Sequence, residues 1–343
     1  MAARDIFVIG ASAGGVEALS QIVAGLPEDF PGSVFVVLHT LAGGESHLSK
    51  ILDRRGVLPA VPSQDGMTIQ PGTIYVAVPN HHLMIEQRQV RSVTGPRENG
   101  HRPSVNVLFE SAARSSGSRV VGIVLSGSLD DGTRGLHAIK NAGGLAIVQH
   151  PEDAAFASMP RSALANVAID YIGSSSEIAR FMSDIARSEL ELEPVANPGE
   201  HQPARAESTH QVANSVDDVG GFSCPECGGV LKEETSGNLS HFRCHVGHTF
   251  SEQTLLNSHG ELVEKALWTA LRVLDERMSL TGRAMISARD RGNNRVADRL
   301  KLENNDVRQK AALIRRILLG SDENAPLTEL QEQPGEVESP DNG

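Results

Sequence analysis

The segment Phe7-Val8-Ile9-Gly10-Ala11-Ser12-Ala13-Gly14-Gly15 sets a serine in a G-x-S-x-G frame, between a strand pattern and a helical one. Glycines in such a turn permit a sharp reversal. The serine hydroxyl is then pushed out at the end of the strand, beside helix-terminal N–H groups. That suits a nucleophile. It also suits a loop cradling dinucleotide phosphates, or a plain turn. Two more polar residues occupy equivalent places. His39 directly follows the aliphatic run Val34–Leu38, and Asp131 follows a run ending at Leu125 through the loop Ser126-Gly127-Ser128-Leu129-Asp130. A serine hydroxyl needs an imidazole to take its proton, and the imidazole needs a carboxylate to fix its tautomer and stabilise its cation. Each residue has a plainer reading. His39 is one of 13 histidines, Asp131 would serve as an N-cap before Gly132, and spacing does not choose between Asp131 and Asp130.

A second constellation lies further along. All three cysteines fall between positions 224 and 244, in Cys224-Pro225-Glu226-Cys227-Gly228-Gly229 and, sixteen residues on, Cys244-His245-Val246-Gly247-His248. Two closely spaced thiolates and a distant ligand pair are what tetrahedral zinc requires. The expected set is Cys224, Cys227, Cys244 and His248, whose spacing from Cys244 lets the chain turn back on the metal; His245 and His241 are rivals. About 30 residues barely bury a core unaided, which favours a structural metal over free thiols.

Around these sites the first 190 residues alternate strand and helix patterns. Strands are expected at Asp5–Ala11, Val34–His39, Thr73–Val78, Arg119–Leu125, Leu145–Val148 and Ala168–Ile172, with a hairpin over His82–Ile85 and Gln89–Val93. Helices are expected at Val16–Ala24, Glu45–Arg54, Val105–Ser115 and Gly132–Asn141. A capping box, Ser174-Ser175-Ser176-Glu177, opens one more that runs to about Arg187. This order predicts an α/β fold, a doubly wound, mainly parallel, Rossmann-like sheet covered on both faces. Ligands bind beyond the carboxyl ends of such strands, where Ser12, His39 and Asp131 all fall. The expected organisation is a catalytic domain over 1–190, a Pro- and Glu-rich flexible linker over 191–219, a small zinc-ribbon-like module over 220–251 and a helical hairpin over 252–320. A disordered acidic tail over 321–343 completes it.

Composition narrows the function. The 343 residues carry a net charge of −12, and the tail alone holds seven acidic residues and no basic one. The balance argues against phosphate-backbone binding, and no basic aromatic patch accompanies the Cys/His segment, so nucleic acid is not expected as a partner. No apolar run approaches the ~20 residues that span a bilayer, and the N-terminus has no signal-peptide pattern. The expectation is a cytoplasmic protein without membrane insertion.

Taken together, these residues resemble the catalytic domain of the chemotaxis protein-glutamate methylesterases over roughly residues 4–190. The likeness rests on Ile9–Gly15, the strand ending at His39, Arg102-Pro103-Ser104-Val105-Asn106-Val107-Leu108-Phe109, Leu125–Gly135 and Phe156-Ala157-Ser158-Met159-Pro160. That family hydrolyses glutamate γ-methyl esters on chemoreceptor helices, and many members deamidate receptor glutamines. The resemblance implies Ser12 as nucleophile, His39 as base and Asp131 rather than Asp130 as the orienting acid. Backbone N–H groups near Ala13 and Ser128 would hold the oxyanion, and catalysis needs no cofactor. It further implies methylated receptor helices as partners, beside a receptor methyltransferase or a separate response regulator. Some stand-alone relatives carry a similar Cys/His extension. The chain departs from the family at Ala13, often Thr, and at Ser128, often Met. After His39 it has Thr40-Leu41-Ala42-Gly43-Gly44 where Met-Pro and an aromatic are common, and with strand one placed near residue 5 the family's usual phospho-accepting receiver domain is expected to be missing. The alternatives are a non-catalytic signalling adaptor, disfavoured by retention of all three residues, and a nucleotide-binding enzyme. The latter would want an acidic residue where His39 stands.

Overall fold

The computed structural model describes residues 4–39, 47–187, 221–236 and 239–319. The expected linker and acidic tail, and the segment after His39, lie outside the described residues. Contacts divide the described chain into two units, one up to Ser258 and one from His259.

The first unit is built on nine strands and six helices, followed by a small sheet. In chain order these are β1 (Ile6–Ala11), α1 (Gly15–Gly25), β2 (Ser33–Leu38), α2 (Leu48–Arg55), β3 (Ala60–Pro62), β4 (Ile74–Val76), β5 (His82–Glu86) and β6 (Gln89–Val93). Then come α3 (Val105–Ser116), β7 (Val120–Val124), α4 (Thr133–Asn141), β8 (Leu145–Gln149), α5 (Ser158–Asn166), β9 (Tyr171–Gly173) and α6 (Ser175–Arg187). Seven strands form one sheet in the order β3-β4-β2-β1-β7-β8-β9, and every pairing in it is parallel. The doubly wound parallel sheet expected from the strand–helix alternation is the fold.

Strand periodicity explains the two cores. Phe7, Ile9 and Ala11 of β1, with Val34 and Val36 of β2, pack against α1, α2 and α6 on one face. Ile6 and Val8, with Phe35 and Val37, pack against α3, α4, α5 and the antiparallel β5–β6 hairpin on the other. A strand buried on both sides reads as a continuous aliphatic run rather than an alternating one, which is how these segments look in the sequence. In α6, Ile178, Ala179, Met182 and Ile185 recur at helical spacing on the core side. Its start is the capping box: Ser174 N–H and Oγ both donate to the Glu177 carboxylate, at 2.8 and 2.7 Å.

Two elements went unread in the sequence. β3 is a three-residue edge strand that includes Pro62, and a proline inside so short a run reads as loop. α5 holds Pro160 as its third residue, where the missing N–H has no helical partner to lose. The last strand starts only at Tyr171; just before it, the Asp170 carboxylate accepts from Lys140 Nζ at 2.7 Å and from Ala146 N–H at 2.7 Å.

After this body come β10 (Leu231–Ser236), β11 (Leu239–Cys244) and β12 (Thr249–Ser251), an antiparallel three-stranded sheet. Then follow α7 (Glu252–Asp290) and α8 (Asn294–Leu319), joined by the turn that Arg291-Gly292-Asn293 signals. In the second unit the two helices run antiparallel. Asn304 Nδ2 donates to Met278 O at 2.7 Å, and the Arg315 guanidinium pairs with Asp275 at 2.6 Å.

One close approach fixes how α3 meets the sheet. A Cβ at Gly10 would lie 2.1 Å from Val105 Cγ1 and 2.7 Å from Cγ2, so β1 admits the start of α3 only because residue 10 has no side chain. Gly10→Ala is therefore expected to destabilise the protein by about 1–3 kcal/mol through overpacking. A denaturant midpoint unchanged from wild type would show that Val105 has room to move.

Candidate active site

The strand order reverses between β1 and β7, and the three polar residues stand at that reversal. β1 and β2 pair in register to Ala11 and Leu38, and His39 N–H continues the ladder by donating to Ala11 O at 3.1 Å. Ser12 and His39 are thus the first residues beyond two adjacent parallel strands. From the other side, Ser12 N–H donates to Ser126 O at 2.9 Å, tying the serine turn to the loop after β7. A Cβ on Gly127 would meet Ser12 Cβ at 2.9 Å and Met159 Sδ at 2.1 Å, so that loop can pass over the serine only as glycine.

Asp131 is the anchor. Its carboxylate is 1% exposed yet accepts five hydrogen bonds. They come from His39 Nε2 at 2.7 Å, Ser104 Oγ at 3.0 Å, Val105 N–H at 2.7 Å, Asn106 N–H at 3.2 Å and its neighbour Gly132 N–H at 3.1 Å. Val105 and Asn106 open α3, so the carboxylate also sits at the positive end of that helix. Asn106 completes the cradle, its Oδ1 accepting from Gly132 and Gly135 N–H at 3.1 and 2.8 Å. Burial pushes the Asp131 carboxyl up, but the hydrogen bond and charge of His39 and the Val105 N–H outweigh it and hold it at about 2. The adjacent Asp130 does a different job. Its Oδ1 accepts from Asn99 Nδ2 at 2.9 Å and Thr254 Oγ1 at 3.1 Å.

An ionised carboxylate only accepts, so His39 Nε2 carries the proton that it donates. Nδ1 is then the basic nitrogen, and it is buried with no partner among the described residues. Ser12 is partly exposed, and its Oγ has no hydrogen bond among the described residues. A proton acceptor and a hydroxyl without partners thus stand at neighbouring strand ends, as a nucleophile and its base do before substrate closes the geometry. The N–H groups of Ala13 and Ser128 likewise have no acceptor among the described residues.

His101 completes this wall. Its ring stacks on that of His39, with centroids 3.6 Å apart and planes 12° from parallel. Burial, reinforced by the charge of His39, pushes His101 down to about 4. Nearby Glu98 is pushed up to about 7 by burial, which the Arg134 guanidinium at 2.7 Å only partly offsets.

The four sulfur and nitrogen donors expected as metal ligands converge. Cys224 Sγ, Cys227 Sγ, Cys244 Sγ and a ring nitrogen of His248 all lie within 4.8 Å of one another. Cys227 and Cys244 sulfurs are 3.7 Å apart, and His248 Nδ1 is 3.7 and 3.5 Å from Cys224 and Cys244. A tetrahedron with Zn–S bonds of about 2.3 Å has an edge of about 3.8 Å, so the spacing fits. Although burial raises the Cys244 thiol, N–H groups of His248, Val246 and Gly247 together with Cys227 bring it down to about 6, which favours a thiolate. The rivals are elsewhere: His241 Nε2 pairs with Glu234 at 3.1 Å, and the His245 ring packs against Gly229.

The model of the CheB methylesterase family matches residues 7–182. The chain belongs to that family. A Leptospira interrogans protein is 37% identical over 188 residues, 54% of this chain and 97% of that one. Protein-glutamate methylesterase/protein-glutamine glutaminase 2 of Methanosarcina acetivorans is 37% identical over 193 residues, covering 53% of this chain and 54% of that protein. The chain spans about half the length of that relative. The crystal structure of the Thermotoga maritima CheB methylesterase catalytic domain superposes over 54% of this chain and 100% of its own, with a TM-score of 0.51 and 28% identity.

In this CheB methylesterase domain the sequence pointed to Ser12, His39 and Asp131; the structure pairs His39 with Asp131 at 2.7 Å and puts Ser12 at the end of the strand adjoining that of His39. Reading the residues one by one did not assign roles to Ser104, Asn106 or His101. The signal was there in the Arg102–Phe109 motif, which opens the helix whose N-terminus holds Asp131.

Because folded His101 binds its proton only near pH 4 and an ordinary histidine does so near 6.5, the unfolded chain takes up more protons across that interval. Stability contributed by neutral His101 is therefore intact above about 6.5 and lost as pH falls toward 4. His101→Phe keeps a ring and removes the titration. Its stability relative to wild type should rise by about 2 kcal/mol between pH 7 and pH 4.5 in denaturant unfolding; a constant difference across that range would rule the assignment out.

Proposed function

We propose that this chain is a protein-glutamate methylesterase, a serine hydrolase that frees glutamate γ-carboxylates from methyl esters on chemoreceptor helices. The reading is carried by the His39–Asp131 pair. It leaves Nδ1 as the basic nitrogen, buried and without a partner among the described residues, with Ser12 at the adjoining strand end, in a domain of the CheB methylesterase family.

Ser12 Oγ attacks the ester carbonyl while His39 Nδ1 takes its proton. The imidazolium is stabilised by Asp131, which stays ionised throughout because its five donors remain in place. The N–H groups of Ala13 and Ser128 hold the developing oxyanion. A glycine-tight loop fixes them before substrate arrives, so little reorganisation opposes the step. His39 then gives its proton to the departing methoxide, methanol leaves, and water activated by His39 releases the carboxylate. A receptor glutamine presents the same acyl carbon with ammonia as the leaving group, so deamidation needs no further residue. The chemistry uses no cofactor. Substrate esters must be installed by a methyltransferase, which places such an enzyme in the same cytoplasmic pathway; no helix among the described residues is long and apolar enough to cross a membrane.

We also propose that Cys224, Cys227, Cys244 and His248 bind one structural zinc. All four positions are filled by protein, which leaves no open site for catalysis at the metal. Among the described residues, the apolar core of β10–β12 and the start of α7 is Cys224, Leu231, Phe242, Cys244, Phe250 and Leu255, too little to hold the sheet without a crosslink.

Two measurements test these readings. Methanol release from methylated chemoreceptor membranes should fall by about 10⁴-fold or more in Ser12→Ala, whereas an unaffected rate would put the nucleophile elsewhere. Native mass spectrometry of the purified chain should count one zinc, absent from Cys244→Ser; a metal-free wild-type protein that takes up no added zinc would contradict the site.

A further inference from the structure

The Cys/His module does not simply follow the catalytic body; it is stitched to the segment that backs His39. The metal ligand His248 is followed at once by Thr249, the first residue of β12. Thr249 N–H donates to Arg97 O at 3.2 Å, and Asn99 N–H donates to Thr249 O at 2.7 Å, a parallel bridge around Glu98. Two residues on, Ser251 N–H donates to Asn99 Oδ1 at 2.9 Å. The segment then closes on itself, with Glu98 and His101 exchanging N–H···O bonds at 3.1 and 3.0 Å, and this turn presents His101 to the face of His39. A second route runs through Asn99 Nδ2 and Thr254 Oγ1 to Asp130, whose backbone leads into Asp131.

The seam is polar and buried. Thr249 is 1% exposed, Asn99 2%, Thr254 3% and Glu98 7%. Thr249, Asn99 and Thr254 each bond across the seam, so those bonds are made only when β12 is in place. What keeps β12 in place is local. His248 and Cys244 flank the turn that leads into it, and Cys244 N–H donates to His248 O at 3.0 Å. With so small a core, the crosslink through the four ligands is what fixes that turn.

We infer that the Cys/His module is a metal-dependent clamp on the esterase site. Zinc at Cys224, Cys227, Cys244 and His248 holds β12 against residues 97–101, and that segment holds His101 on the ring of His39. Asn99, Thr249 and His101 are positioning residues; none reaches the substrate carbonyl. Loss of the metal frees the segment, lets the His39 ring rotate off the line to Ser12, and lowers the rate without unfolding the sheet. The inference rests on the esterase reading of Ser12, His39 and Asp131.

The test uses the full chain in four forms: zinc-loaded, chelator-stripped, Cys227→Ser, and Asn99→Ala loaded with zinc. Three quantities are read: zinc content by mass spectrometry, amide hydrogen exchange at 97–101 against β1, and kcat/KM on a small activated ester. Stripping and Cys227→Ser should speed exchange at 97–101, leave β1 protected and lower kcat/KM about 10–100-fold, the range expected when a catalytic group shifts by about 1 Å. Added zinc should restore the stripped protein and not Cys227→Ser. Asn99→Ala should keep its zinc and still show faster exchange and a lower kcat/KM. Zinc-free protein with unchanged exchange at 97–101 and unchanged kcat/KM overturns the clamp. So does metal loss that unprotects β1 as much as 97–101, since that is plain unfolding. A zinc-loaded protein inactive on the ester refutes the esterase reading instead, and exchange at 97–101 then decides the clamp by itself.

Discussion

A buried negative charge governs this fold. Asp131 is buried and ionised, a state that costs several kcal/mol unless other groups replace its hydration. Here the replacements are five donors drawn from β2's end, the start of α3 and the start of α4. Three elements distant in sequence are therefore committed to one point. The same bonds decide the chemistry. A carboxylate that stays ionised makes His39 Nε2 a donor, and a donor at Nε2 makes Nδ1 a base. Had the cradle been poorer, burial would have won and kept the carboxyl protonated; His39 would then have had no fixed tautomer.

The sheet supplies the rest by topology. β1 and β7 are neighbours though over a hundred residues apart, because the chain winds outward from β1 on one side and returns on the other. At such a reversal the loops after adjacent strands diverge and leave a crevice. Ser12 and the Ser126–Asp131 loop line its two sides. The absence of side chains at Gly10 and Gly127 lets α3 and the β7 loop come close enough to close it. Small residues thus set the distances, and polar residues use them.

What could be read from the sequence follows the same division. Strands buried on both faces announce themselves as aliphatic runs, so β1, β2, β7 and β8 were legible. Ser12 and His39 were legible because each immediately ends such a run. Asp131 was legible as a residue type in a suitable loop; spacing did not set it apart from Asp130, and only the family resemblance did. The difference between the two is which N–H groups surround each, and Ser104, Val105 and Asn106 lie 25 or more residues upstream. His101 was illegible for a related reason. Its role is a ring stacked on another ring, and no spacing within the chain encodes that. The convergence of the four Cys/His donors was the easiest feature to read, since C-x2-C with a second pair fixes its own geometry locally; that β12 would pair with residues 97–99 was not, since that pairing is an isolated bridge with no hydrophobic pattern to mark it.

The neighbouring aspartates show how the two levels connect. Asp130 opens a turn, its carbonyl accepting from Thr133 N–H at 3.1 Å, and the two aspartates serve different partners. Asp131 turns inward to α3 and His39, while Asp130 turns to Asn99 and Thr254 on the side of the Cys/His module. One peptide bond therefore joins the charge that holds His39 to the seam that receives β12. An apolar seam would tolerate sliding, since apolar contacts are non-directional. A seam of buried hydrogen bonds has one register, and every group in it is left unsatisfied by a shift of an ångström or two. The module is consequently either seated or released, and the loop carrying Asp131 borders on that choice.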